Sequence, residues 1–130
     1  MMNAACRDIK DYIKGLVDSS EADISYEIFA FYLPDSPDQC IAFIEGPGMP
    51  PFPGNIRRGS VQILVRGKKG EMEEGYGQME VVLSHLHEKG NLLIGSTNYH
   101  TLWLQGDVMF TRDEKGRPIW STNLSVDRSE

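Results

Sequence analysis

The chain has 130 residues, 40% of them hydrophobic and 25% charged, with a formal net charge of −6. This is the size and composition of one globular domain, able to bury roughly two-thirds of its unfolded surface without a disulfide or a metal. The acidic balance argues against tight, sequence-independent binding to nucleic acid, which needs a basic surface to displace counterions.

Taken in order, residues 1–18 read as a helix. Ile9, Tyr12, Ile13, Leu16 and Val17 recur at i, i+3, i+4, i+7 and i+8, leaving Arg7, Lys10, Asp11, Lys14 and Asp18 to solvent. Residues 19–23 are capping and turn types, and part of the aromatic stretch 24–32 reads as an irregular strand. Leu33-Pro34-Asp35-Ser36-Pro37-Asp38 is excluded from a helix by two prolines and two turn-favouring aspartates. Residues 40–44 form a near-continuous apolar run suited to a strand covered on both faces. Residues 46–54, with four prolines and three glycines, are expected to form an irregular loop in which Met49 and Phe52 offer apolar groups for docking.

The organising stretch is 60–88. Val61, Ile63 and Val65 share one face of a strand, and Gln62, Leu64 and Arg66 the other. Gly67-Lys68-Lys69-Gly70 stops it. Met72, Tyr76, Met79, Leu83 and Leu86 then recur at spacings of four, three, four and three, which predicts a helix whose apolar stripe folds back on the sheet. Gly90-Asn91 suits the helix end, and 92–94 reads as a short apolar connector. Residues 99–104 alternate, with His100, Leu102 and Leu104 on one face and Tyr99, Thr101 and Trp103 on the other. Gly106-Asp107 permits a bend before 108–110 resume the strand. Asp113-Glu114-Lys115-Gly116 reads as a hairpin turn. Residues 117–127 return as a long strand, with Trp120, Thr122, Leu124 and Val126 on one face. The expected fold is α+β: one domain over 1–130, a mixed, largely antiparallel sheet of about four to five strands, and two helices on one face. Its projecting parts are the 46–59 Gly/Pro-rich loop and the 107–117 hairpin arm.

The chemistry-bearing residues form no catalytic pattern. His85 and His87 are two apart on a helix and point in different directions, and His100 lies on a strand, so a metal site is not expected. No serine sits in a G-x-S-x-G turn, and Cys40 in its apolar run is a poor nucleophile. Glu71, Glu73 and Glu74 complement a helix dipole. Cys6 and Cys40 are too few for a disulfide framework or a zinc cage, and are expected to stay reduced in a cytosolic compartment. No apolar run reaches the roughly 18 residues of a membrane span, and residues near the N-terminus do not form a signal-peptide core. Neither an enzyme nor a cofactor is expected.

The punctuation residues carry a more specific signal. Leu33-Pro34-Asp35-Ser36-Pro37-Asp38 leads into a strand containing Cys40-Ile41, and a Gly-Pro loop with Pro50-Pro51 follows. The Val61-Gln62-Ile63-Leu64-Val65-Arg66 strand and its helix come next, then Gly106, the Arg112-Asp113-Glu114-Lys115-Gly116-Arg117 turn and Asn123. This order, over about residues 33–128, resembles the minor capsid and tail terminator proteins of long-tailed, siphovirus-type bacteriophages and prophages.

The resemblance implies a structural protein of the virion, assembled in the host cytoplasm at the head-proximal end of the tail. There it would cap the tail tube as a ring, a hexamer by family pattern, end polymerisation and form the interface to the head connector or stopper. Its partners would be itself, the tail tube protein and the connector, with DNA passing through the lumen unbound and no membrane involved. The rival readings are another head-tail connector or head-completion protein, or a non-viral cytosolic binding module. A ring contact of the head-to-tail kind needs two different complementary surfaces on each subunit. The loop and the hairpin arm nominate Met49, Phe52, Arg57, Arg58, Arg66, Asp107, Arg112, Asp113, Lys115 and Arg117 for subunit or tube contacts.

Overall fold

The computed structural model describes residues 2–52 and 55–130, with residues 49–52 described by backbone alone. Among the described residues two helices, α1 (Ala5–Asp18) and α2 (Met72–Leu86), accompany eight strands in one sheet. The strands are β1 (Glu27–Ala30), β2 (Cys40–Glu45), β3 (Met49–Phe52), β4 (Ile56–Arg66), β5 (Lys89–Ile94), β6 (Thr97–Leu104), β7 (Met109–Arg112) and β8 (Pro118–Ser129). The main path runs β1-β2-β4-β8-β6-β5. Strand β3 pairs with β4, and β7 with β8. Among the described strand pairs, β1–β2 is parallel and the others are antiparallel. The α+β class, the mixed sheet and the two helices match expectation, but the strand count exceeds the four to five expected.

The extra strands arise where local signals mislead. The 46–54 stretch was expected to be irregular because of its prolines, yet residues 49–52 form β3. It is an outer strand in which only Met49↔Arg58 and Phe52↔Ile56 are in register, with an irregularity between them. Proline lacks an N–H, and an edge position with a broken ladder demands none of it. The neighbouring Ile56–Ser60 belongs to β4, so the 46–59 segment carries strand structure where a loop was expected. Residues 92–94 are likewise part of β5 and not a connector. Strand β6 is not a uniform alternation either. Its register shifts between Tyr99 and Thr101, so Tyr99 and Leu102 are both fully buried.

Both helices lie on one face of the sheet. Ile9 and Ile13 of α1 and Met79, Val82 and Leu86 of α2 join Val61, Ile63, Val65, Leu124 and Val126 in a single buried cluster. The alternation of β4 makes this possible, because Val61, Ile63 and Val65 project together and all three lose their solvent contact. Each such side chain contributes about 1.5–3 kcal/mol of transfer free energy. The stripe of α2 is rotated from the one expected. Gly75, Met79, Val82 and Leu86 are the buried positions, while Met72 and Tyr76 stay partly exposed beside Trp120. Gly75 is the reason: a Cβ there would stand 3.1 Å from Trp120 Cδ1, so its absence lets the helix settle against Trp120 and Val65. The sequence pattern, weighted toward large side chains, overlooks a glycine as a core position.

On the reverse face, Cys40 and Ala42 are buried, and Arg66 lies opposite Cys40 in register. The proline segment 33–38 crosses this surface, and its Ser36–Pro37 peptide bond is cis. Both cysteines are free and buried. Burial, reinforced by Glu45, pushes the Cys6 thiol up to about 11.

Candidate assembly interface

The nominated residues separate into two groups at opposite ends of the long strand pair. Strands β4 and β8 run from Arg57↔Arg128 at one end to Arg66↔Ile119 at the other. Strand β3 adjoins the first end and β7 the second, on opposite sides of the pair. Arg57 and Arg66 are nine residues apart, which is roughly 30 Å of strand. The two groups of nominees therefore lie at well-separated ends of the sheet.

At the β7 end the chain builds a dense polar lock. Arg66 is only 3% exposed. Its Nε donates to the Asp38 carbonyl at 3.0 Å, and its Nη2 to the carbonyls of Pro34 and Pro37 at 2.6 and 2.8 Å. The guanidinium of Arg117, also buried, reaches Asp113 Oδ2 at 2.7 Å, Asp35 Oδ1 at 2.9 Å and Asp38 Oδ1 at 3.0 Å. Lys115 Nζ lies 2.7 Å from Asp35 Oδ2. The hairpin closes as expected, with Gly116 at φ 77 and its N–H donating to the Asp113 carbonyl. Hydrogen bonds from Lys115 and then Arg117 hold the Asp35 carboxyl below its usual range. Burial would raise Asp113, but backbone and side-chain hydrogen bonds from Arg117 outweigh it and lower that group too. Desolvation opposes the charge on Arg117, and the three carboxylates more than offset it. Asp35, Arg66, Asp113, Lys115 and Arg117 line, with Leu33, Arg112 and Glu114, a shallow cleft of about 480 Å³. The lock ties the 33–38 segment to the β7–β8 turn.

The remaining nominees sit as follows. Arg112 is exposed, its guanidinium 5.0 Å from the Phe110 ring centroid and its Nη2 3.6 Å from Met72 Sδ. Asp107 is exposed in the connection between β6 and β7. At the far end Arg57 is exposed, and Arg58 faces Asp127 with an Nε–Oδ1 distance of 3.9 Å. The side chains of Met49 and Phe52 lie outside the described residues.

Sequence reasoning missed Asp35 and Asp38 as ligands of Arg117. Their only signal was two carboxylates spaced through a proline turn, with nothing to say which distant arginine they meet. It also missed the outward face of α2. Tyr76 stacks edge-on against Trp120 with centroids 5.0 Å apart, and Trp120 meets Phe110 at 4.6 Å. Trp120 Nε1 donates to the Met72 carbonyl at 3.0 Å. Two adjoining hollows of about 600 and 420 Å³ run along this face and share Tyr76 and Glu80.

Two of the histidines make local structural contacts. His87 Nδ1 accepts from the Leu104 N–H at 3.2 Å and its ring meets Trp103, while His100 Nε2 lies 2.7 Å from Ser129 Oγ. Among the described residues no group of three or more His, Cys, Asp or Glu is placed to hold a metal ion, and no helix is long and apolar enough to cross a membrane.

Comparison with known proteins gives a family. The sequence profile described as bacteriophage tail terminator protein matches residues 11–129. No curated protein matches the chain by sequence. Among solved structures, a chain from the virion of a native gene transfer agent particle has a similar fold, with a TM-score of 0.66 at 13% identity. The alignment covers 97% of this chain and 96% of that one, so the likeness extends to the whole domain. The chain belongs to the bacteriophage tail terminator family and is a structural component of a phage virion.

Proposed function

We propose that this protein caps the completed tail tube as a ring of about six subunits, ends its polymerisation and presents the surface that meets the head connector. The observation that carries this reading is the family match over residues 11–129, nearly the whole chain. The architecture suits it: two hairpins at opposite ends of the β4–β8 pair provide the distinct surfaces a head-to-tail contact needs. The work asked of the domain is shape and contact, not catalysis. Its partners are further copies of itself, the tube protein and the connector or stopper. With a net charge of −6, the subunit offers passing DNA little to hold it, since phosphate binding relies on clustered lysine and arginine.

The test is to add the purified protein to polymerising tail tube protein from the same phage and measure tube length by electron microscopy. Tubes are expected to stop growing at far less than one added subunit per tube subunit, with added density at one end. Tubes of unchanged length and bare at both ends would overturn the reading.

A further inference from the structure

We infer that the outward groove of α2 receives Arg57 of β4 from a second copy of this chain. The inference rests on the ring reading above and names the surfaces that would make its contact. Three observations point to it.

The first is the groove's construction. Glu73, Tyr76, Gly77 and Glu80 follow one another at helical spacing on the exposed side of α2, and Trp120 with Met72 forms the apolar floor. A glycine inside a helix is unfavourable, and Gly77 has no local need to be one, because nothing stands within 4 Å of a Cβ built there. Gly75, two residues earlier and on nearly the opposite side of the helix, is buried against Trp120, so the two glycines have different reasons. The bare backbone at Gly77 leaves room for an incoming chain to approach closely.

The second is charge. Among the described residues neither Glu73 nor Glu80 has an ion-pair partner, and both rim the apolar floor. The nearby cation Arg112 lies over Phe110 at the end of the groove. The groove therefore suits a partner surface that brings a positive charge.

The third is the other surface. Arg57 is exposed and stands directly opposite Arg128 across the β4–β8 ladder. Like charges at facing ladder positions repel, and a carboxylate arriving from outside relieves them. The Arg128 Nη1 is already turned to the Asn3 carbonyl at 2.6 Å, which leaves Arg57 as the outward cation. Groove and cation lie at opposite ends of the strand pair, so one copy's Arg57 meets the next copy's groove and the contact propagates round a ring.

The experiment is native mass measurement on four full-length variants, each checked for a folded monomer by circular dichroism. Gly77→Leu has space in the monomer and fills the groove, so it is expected to keep the fold and abolish assembly. Glu80→Arg and Arg57→Glu are each expected to weaken assembly roughly tenfold or more, and the double reversal to restore it. Rings of normal stability in Gly77→Leu, or in both single reversals, overturn the inference. So does a double variant that stays as weak as the singles. If wild-type protein closes only as a dimer while the double reversal still rescues, the groove contact stands and the ring reading falls.

Discussion

The two ends of this domain make opposite use of polar groups. At the β7 end every charge of the lock has a partner: Arg117 meets three carboxylates, Arg66 meets three carbonyls, and Lys115 meets Asp35. Along the outer face of α2, Glu73 and Glu80 rim an apolar floor with no ion pair of their own among the described residues. A fully satisfied network fixes one conformation and has little left to offer a partner. A half-apolar groove with unanswered charge has interaction free energy in reserve. The lock holds the domain's own architecture, and the groove is the surface proposed above for assembly.

The largest effect expected from breaking this contrast is at the lock. Arg66→Ala leaves the carbonyls of Pro34, Pro37 and Asp38 without their shared donor beneath a buried face, and is expected to cost about 2–4 kcal/mol in chemical denaturation. Arg117→Ala follows at roughly 2–3 kcal/mol, less because its carboxylates can turn to water. Arg117→Lys is expected to recover little, since a point charge cannot reach three carboxylates as a planar fork does. Either loss well below 1 kcal/mol would mean that the proline segment is held by something other than these arginines.

Acid should act on the same end. Asp35 and Asp113 have lowered values in the folded chain, so the unfolded chain binds protons first as pH falls. Their contribution is complete above the usual carboxylate range, around pH 4, and is lost as pH drops through the folded values. Denaturation midpoints followed from pH 6 to pH 2 should fall in the wild type, with a shallower limb in Arg117→Ala. Parallel limbs would remove the carboxylates from the account.

The smallest effects separate the two helical glycines. Gly77→Ala has open space and is expected to stabilise the monomer by about 0.5–1 kcal/mol through backbone entropy and helix propensity. Gly75→Ala places a methyl 3.1 Å from Trp120 Cδ1, so it gains less or loses stability as the indole shifts. Equal shifts in thermal midpoint for the two would show that the helix does not press on Trp120.

These residues also show what the sequence could and could not tell. The β4 strand and the long β8 strand were legible because a period of two survives in Val61, Ile63 and Val65 and in Thr122, Leu124 and Val126. The Asp113–Gly116 turn was legible because glycine at positive φ is a local requirement. Strand β3 was not, since edge pairing cancels the usual penalty on its prolines. The face of α2 was misjudged by one position because Gly75 buries backbone in place of a side chain. The polar lock was invisible for a different reason. Asp35 and Arg117 are 82 residues apart, and nothing local to either reveals the other. Of the nominated contact residues, Arg66, Asp113, Lys115 and Arg117 come together at one end as parts of that lock, and Arg57 and Arg58 stand at the other.

The central claim, that this domain works by closing head to tail on itself, is tested most directly by the native mass of the wild-type protein. It should be measured across a wide concentration range, alone and with purified tail tubes. The account predicts a closed species of about six subunits, in solution or captured at tube ends. A monomer at every concentration that also fails to collect on tubes would contradict it.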